Sequence, residues 1–270
     1  MIRTWIASSV ARPVSYRIKK GEGFGEAFQR ILKVETARAA DESASAAQSP
    51  DQAIHQLRKR CKRVRGLIAL YRETLGPLAT ETDRKIRIYS RSLAGARSES
   101  ALAEIARRFR LTTFHPATTD DSDSTGKDVD RIVPLLKEVA SVCSPLARKS
   151  VRDDLLHAIR RISRKSRRAW KTAVDSPTTA HLHRWRTRAK AHWYATRLTQ
   201  DLDSGKARAP RKQLARISEG LGSHHDLSII LDRFSTEGRS TDDPDFCRVR
   251  KLRGRIARRM LELGTRVYHS

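Results

Sequence analysis

The sequence predicts an all-α fold, and three observations carry that prediction. Apolar residues recur at three- and four-residue spacing along most of the 270 residues, and no run alternates with the period of a strand. The chain is punctuated as helical chains are: Ser49-Pro50 and Ser176-Pro177 each read as a cap followed by proline in the first turn, and Gly76-Pro77 reads as a stop. Only 6% of residues are aromatic against 38% apolar, so the core is built mainly from Leu, Ile, Val and Ala.

Taken in order, the first 13 residues are a lead-in, basic but too broken by Ser8, Ser9 and Arg12 to act as a signal peptide. Residues 24–47 read as a first helix rich in Ala, Glu and Arg. A long helix starts at Pro50 and runs to about residue 75, and shorter helices fit 79–94 and 98–110. The stretch TTFHPATTDDSDSTGKDVD, residues 112–130, is polar, acidic and aperiodic, and reads as a solvated linker rather than a cation site. Helices then fit 129–142, 148–174, 177 to about 202, 208–221, 224–235 and 245–268. This divides the chain into a first helical half at about 14–111, a linker at about 112–128 and a second half at about 129–270.

Charge sets the class of partner. There are 56 Lys and Arg against 30 Asp and Glu, a formal net charge of +26. Such an imbalance repels itself and draws anions from a distance. No apolar run reaches the roughly 18 residues needed to span a bilayer, so no membrane role is expected. Cys61, Cys143 and Cys247 are odd in number and widely spaced, with no C-x-x-C pair. They read as thiols in a reducing, cytoplasmic compartment and not as a disulfide or zinc framework.

The segment AIHQLRKRCKRVRGLIALYR, residues 53–72, shows how the charge is organised. On a helix, Ile54, Leu57, Cys61, Val64, Ile68, Tyr71 and Leu75 form one apolar stripe. His55, Arg58, Lys62 and Arg65 form a second stripe, spread over about 15 Å of helix axis. Lys59 and Arg63 widen it, Arg72 extends it, and Ala69 leaves room on it. Like charges so placed destabilise a bare helix, and a bridging anion reverses the sign. Arg presents forked donors to phosphate-type oxygens, and Lys a point charge. A histidine among such cations is pushed toward neutrality until an anion binds.

The pattern H-x-x-R-x-x-x-[KR] recurs. Residues 182–198 place His183, Arg186, Lys190 and Arg197 on one face, and residues 155–171 do the same with His157, Arg160, Arg164, Arg167 and Lys171. His55, Arg58 and Lys62 lie 128 positions before His183, Arg186 and Lys190. The same offset lays LAGARSE, from Leu93, over LGSHHDL, from Leu221, which indicates duplicated halves.

These residues resemble the conserved histidine α-helical domain, or CHAD, family. Its first motif, H-x-x-R-x-x-x-[RK]-[RK]-x-R, is matched by His55, Arg58, Lys62, Arg63 and Arg65. Its second is matched by His183, Arg186, Lys190 and Tyr194 within HRWRTRAKAHWY. LGSHHDLSIIL resembles the segment that follows the second motif, and SYRIKKGEGFGEAFQRIL the family's opening helix. The resemblance covers about residues 14–270 and departs from the family at Ser98-Glu99 and Ala191. It implies two pseudo-symmetric antiparallel four-helix bundles with a basic surface or channel between them. It also implies inorganic polyphosphate as the ligand and association with polyphosphate granules. The expected contacts are His55, Arg58, Lys59, Lys62, Arg63, Arg65, His183, Arg186, Lys190 and Arg197, followed by His157, Arg160, Arg164 and Arg167 on the more variable third stretch.

Other functions are weaker. Nucleic acid shares the electrostatics and is expected as a secondary polyanion, but no zinc finger, RNP motif or KH loop is present. Trp185, Trp193 and Tyr194 could stack on bases, although Trp185 falls on the core stripe. No Walker loop or E-x-E-x-K strand supports catalysis, so the protein is expected not to be an enzyme and to need no cofactor. His224, His225 and Asp226 are consecutive and cannot converge on one metal ion from one helix face; they are expected to start a helix. His192 is expected to pack in the core, and His181 and His115 to be incidental.

Overall fold

The structure, a computed structural model, describes residues 16–93, 99–112, 114, 129–202 and 208–269. The lead-in and nearly all of the acidic linker lie outside them. Among the described residues the regular structure is entirely helical: α1 (Phe24–Ala44), α2 (Pro50–Leu70), α3 (Arg72–Leu75), α4 (Pro77–Ser92), α5 (Glu99–Arg108), α6 (Ile132–Ala147), α7 (Arg152–Asp175), α8 (Thr179–Leu198), α9 (Arg208–Thr236) and α10 (Pro244–Tyr268). The all-α expectation is met.

The helix boundaries follow local chemistry. The expected long helix from Pro50 is interrupted at Tyr71, whose φ of −90° and ψ of 14° end α2 and start the single turn α3. Gly76 then turns the chain at φ 54°, a left-handed value that a side chain resists. Asp243 caps α10, its Oδ1 accepting from the N–H groups of Asp245 and Phe246 ahead of Pro244 in the first turn. The second Ser-Pro start is displaced: Thr178, not Ser176, caps α8 by accepting from the His181 N–H. Ser49 precedes Pro50 at the start of α2 without a capping hydrogen bond from its side chain.

Two helices differ from expectation more deeply. The expected break near residue 222 does not occur, and α9 runs unbroken from Arg208 to Thr236. A glycine inside a helix costs only about 1 kcal/mol. The burial of Leu214, Ile217, Leu221, Leu227, Ile230 and Phe234 along α9 outweighs it. His224, His225 and Asp226 therefore sit in mid-helix and start nothing. Likewise α6 continues past residue 142 to Ala147, with Pro145 inside it, because Ile132, Leu136, Val139, Cys143 and Ala147 form one buried stripe.

The packing groups the helices differently from the division of the sequence at the linker. Helix α6 packs on α1 and α4, and α2 packs on α1 and α4. Their shared core contains Phe28, Ile31, Leu57, Leu67, Ile86, Leu136 and Val139. Helix α8 packs between α7 and α9, and α10 lies on α9 and α7. There the core contains Trp170, Leu182, Trp185, Leu214, Ile217 and Met260. Helix α5 leaves its sequence neighbours and docks on α9, where Leu102 and Ala106 meet Leu227, Ile230 and Phe234. The chain thus crosses between the two groups on both sides of the linker.

One contact fixes the relation of α2 to α8. A Cβ on Gly66 would lie 2.9 Å from the Tyr16 hydroxyl and 3.1 Å from Tyr194 Cβ, so the bare glycine lets the two helices touch. The segment before α1 straps them together. Tyr16 donates to the Arg63 carbonyl at 2.6 Å, its ring meets Tyr194 edge-on at 5.9 Å, and the Ile18 N–H donates to the Leu198 carbonyl at 2.8 Å.

Candidate functional site

The two motif helices cross, so their basic stripes meet. Lys62 of α2 is half-buried, and its ammonium is pushed down to about 7. Withdrawal from water is the main cause, followed by the charges of Lys190, Arg58 and Arg186. Lys190 of α8 is also half-buried and lowered, first by burial, then by Arg186, with Lys59 adding and Asp226 opposing. Gly66 and Tyr194 also lie 128 positions apart, the spacing of Lys62 and Lys190.

The histidines that open the two stripes lie at the rim, both exposed. His55 is lowered from its ordinary value by partial desolvation and by Lys62 and Lys59, with Glu104 of α5 opposing. His183 is lowered by partial desolvation and by Arg186, and its ring lies 4.8 Å from that of His225. Arg58 is half-buried with its Nε withdrawn from water and facing no acceptor. His55, Arg58, Lys59, Lys62, His183, Arg186 and Lys190 are therefore one constellation, drawn from two helices.

Seven expected contacts stand differently. Arg63 is 9% exposed, donates to Glu35 Oε1 at 3.0 Å and lies 5.4 Å from the centre of the Tyr16 ring. Glu35 is itself 1% exposed and also takes Arg60 at 3.1 Å, so Arg63 belongs to a buried ionic knot between α1 and α2. Arg65 turns to α4, where Asp83 holds it at 2.7 Å. Arg197 is half-buried, its guanidinium 5.5 Å from the Trp193 ring centre and 5.9 Å from that of Tyr16. His157, Arg160, Arg164 and Arg167 line an exposed face of α7. The charges that shift Lys62 come from α2 and α8, not from α7.

Sequence reasoning missed the contribution of α9. Asp226, within ion-pair range of Arg108 of α5 at 3.6 Å, tempers Lys190, and His225 meets His183. The sequence signal is the offset that lays LGSHHDL over LAGARSE, but the gap expected between 221 and 224 separates this segment from the rest of the helix that carries it. His224 is 5% exposed and pushed down to about 4 by burial, and His192, at 7%, is likewise about 4; both are packing groups. Trp185 is fully buried and Tyr194 is 5% exposed. Cys61 and Cys143 are buried free thiols, and Cys247 is half-buried. Among the described residues no group of three or more metal-binding side chains converges, and no helix is long and apolar enough to cross a membrane.

The fold and the site define an all-helical protein whose cationic side chains converge from two crossing helices. The chain belongs to the CHAD family: the family's domain model matches residues 30–235. No curated protein and no solved structure matches it.

Proposed function

We propose that this protein binds inorganic polyphosphate through the α2–α8 constellation, with His55, Arg58, Lys59, Lys62, His183, Arg186 and Lys190 as contacts. The observation that carries the reading is the meeting of Lys62 and Lys190 with Arg58 and Arg186, all half-buried, with both ammoniums depressed by burial and by neighbouring cations. A cationic cluster held partly out of water costs stability unless an anion completes it. Membership of the CHAD family, which is associated with polyphosphate binding, supports the choice of anion. The reading is of a binding module and not an enzyme, acting in the cytoplasm at polyphosphate granules. Arg63, held by Glu35, and Arg197 both act on Lys59 and border the site.

Nucleic acid is the weaker polyanion because the rings that could stack on bases are largely covered. Trp185 is fully buried, Tyr194 packs against Tyr16, and Trp193 is half-buried beneath Arg197. A linear phosphate chain has no bases and needs no such platform. The test is competition at several salt concentrations. Labelled long-chain polyphosphate competes with transfer RNA, duplex DNA and pyrophosphate for wild type and for a His55→Ala/Arg58→Ala/His183→Ala/Arg186→Ala variant. Preference for polyphosphate at physiological salt, lost in the variant, is the expected result. Equal affinity for every polyanion, unchanged in the variant, would refute it.

A further inference from the structure

A second cationic cluster lies on a different face of α8. Around a helix, two residues are about 200°. Arg188 therefore points away from the stripe that carries Arg186 and Lys190. It points along the hairpin formed with α7, which turns at residues 176–178 between Asp175 and Thr179. In that hairpin Arg188, nine residues into α8, comes opposite Lys165, ten residues before the end of α7. One turn before Lys165, Arg161 is half-buried and anchored: its Nη2 donates to the Ala69 carbonyl at 3.1 Å, and its Nε lies 3.2 Å from Glu73. Arg72, at the start of α3, completes the group, its Nη2 donating to Thr80 Oγ1 at 2.7 Å.

Four cations from three packed helices thus gather around Lys165, with Glu73 engaged by Arg161. The crowding has an electrostatic signature. Lys165 is lowered by partial burial, then by Arg161, Arg188 and Arg72. Arg161 is lowered by burial, with Glu73 opposing and Arg72 adding. Lys165 and Arg188 nevertheless remain open to solvent. The motif cluster shows the same combination of a partly buried cation held against its own kind, with accessible basic groups beside it. Fixed guanidiniums in such a site suit tetrahedral oxyanions with several oxygens.

We propose that Arg72, Arg161, Lys165 and Arg188 form a second phosphate-chain subsite, on the α3–α7–α8 face of the protein. The proposal rests on the polyphosphate reading for its ligand and not for its geometry. Two subsites on separate faces let one long chain engage twice, so long chains gain affinity by effective concentration while short ones do not.

The experiment is calorimetric titration with tripolyphosphate, which is too short to engage both faces at once. Wild type is compared with Lys165→Gln/Arg188→Gln, with Lys62→Gln/Lys190→Gln, and with Arg258→Gln/Arg259→Gln on exposed positions of α10 as a charge-matched control. The expected result is two bound per wild-type chain, two in the control, and one in each of the other variants. Circular dichroism melting of each variant confirms that it is folded. If wild type binds one and Lys165→Gln/Arg188→Gln leaves it unchanged, the second subsite does not exist, whatever becomes of the motif cluster. If Lys165→Gln/Arg188→Gln removes a site and Lys62→Gln/Lys190→Gln removes none, the second subsite stands and the motif reading falls. Equal losses in all three variants would mean diffuse charge and would overturn the proposal.

Discussion

Lys62 carries the conflict between stability and binding. Its ammonium sits half-buried beside Lys190, Arg58 and Arg186, with its pKa down to about 7. In the unfolded chain it returns to about 10.4. Between those values the unfolded state binds more protons than the folded one, so stability rises with pH through this window. Below about 7 the penalty is fully present. Lys62→Met keeps the stem and removes the charge, and is expected to stabilise the free protein by about 1–3 kcal/mol at pH 6. By pH 9 most of that gain disappears. Urea unfolding at the two pH values measures it; a destabilised variant at pH 6 would show that Lys62 is satisfied without ligand. The same substitution should weaken polyphosphate binding about tenfold, the cost of one charge-assisted contact.

His55, His183 and Lys62 are all depressed by burial and by neighbouring cations, and an anion reverses the second cause. Binding therefore takes up protons, and affinity falls as pH rises through about 7 to 9, where free Lys62 is neutral. Calorimetry at pH 8 in buffers of different ionisation enthalpy reports the uptake directly. A heat independent of buffer would sink this prediction.

Among the elements, the α2–α8 crossing does most to make the site. Gly66→Ala adds a methyl that meets Tyr194 Cβ at 3.1 Å, close to a helix backbone that cannot yield easily. The intrinsic helical gain of about 1 kcal/mol is smaller than an overpacking cost of about 1–3 kcal/mol, so a net loss is expected. Polyphosphate affinity should fall with it, because Lys62 and Lys190 move apart. Gly222→Ala is the control: nothing lies within 4 Å of its Cβ, and it should be neutral or stabilising. Thermal melting separates the two; a stabilised Gly66→Ala would mean that α2 and α8 do not depend on this contact. The elements also show where sequence reasoning ran short. The gap expected between 221 and 224 is absent because the buried apolar stripe of α9 outweighs the helix cost of Gly222. Periodicity places Arg63 beside Lys62 on the ligand face, and periodicity does not reveal that Glu35 of another helix pairs with it.

For the whole molecule the charge of +26 acts at a distance and the clusters act at contact. The logarithm of polyphosphate affinity should fall linearly with the logarithm of salt concentration, by counterion release. The slope should lessen in Lys62→Gln/Lys190→Gln and stay unchanged in Arg258→Gln/Arg259→Gln. Equal change in both would assign the binding to net charge alone.

By itself the sequence determined the helical class, the apolar stripe of α2, the basic stripes that open with His55 and His183, and the family. These are local or periodic properties, written at fixed spacing along one helix. Only the tertiary structure decided that α2 and α8 cross at Gly66, that α5 and α6 change groups, and that α9 brings His225 and Asp226 to the second motif. It also decided which cations are consumed by Glu35 and Asp83, and which remain crowded at Lys62 and Lys165. Burial and counter-charge at a side chain depend on residues far away in sequence, so a pattern read along one helix names the charged groups without revealing which of them stay uncompensated.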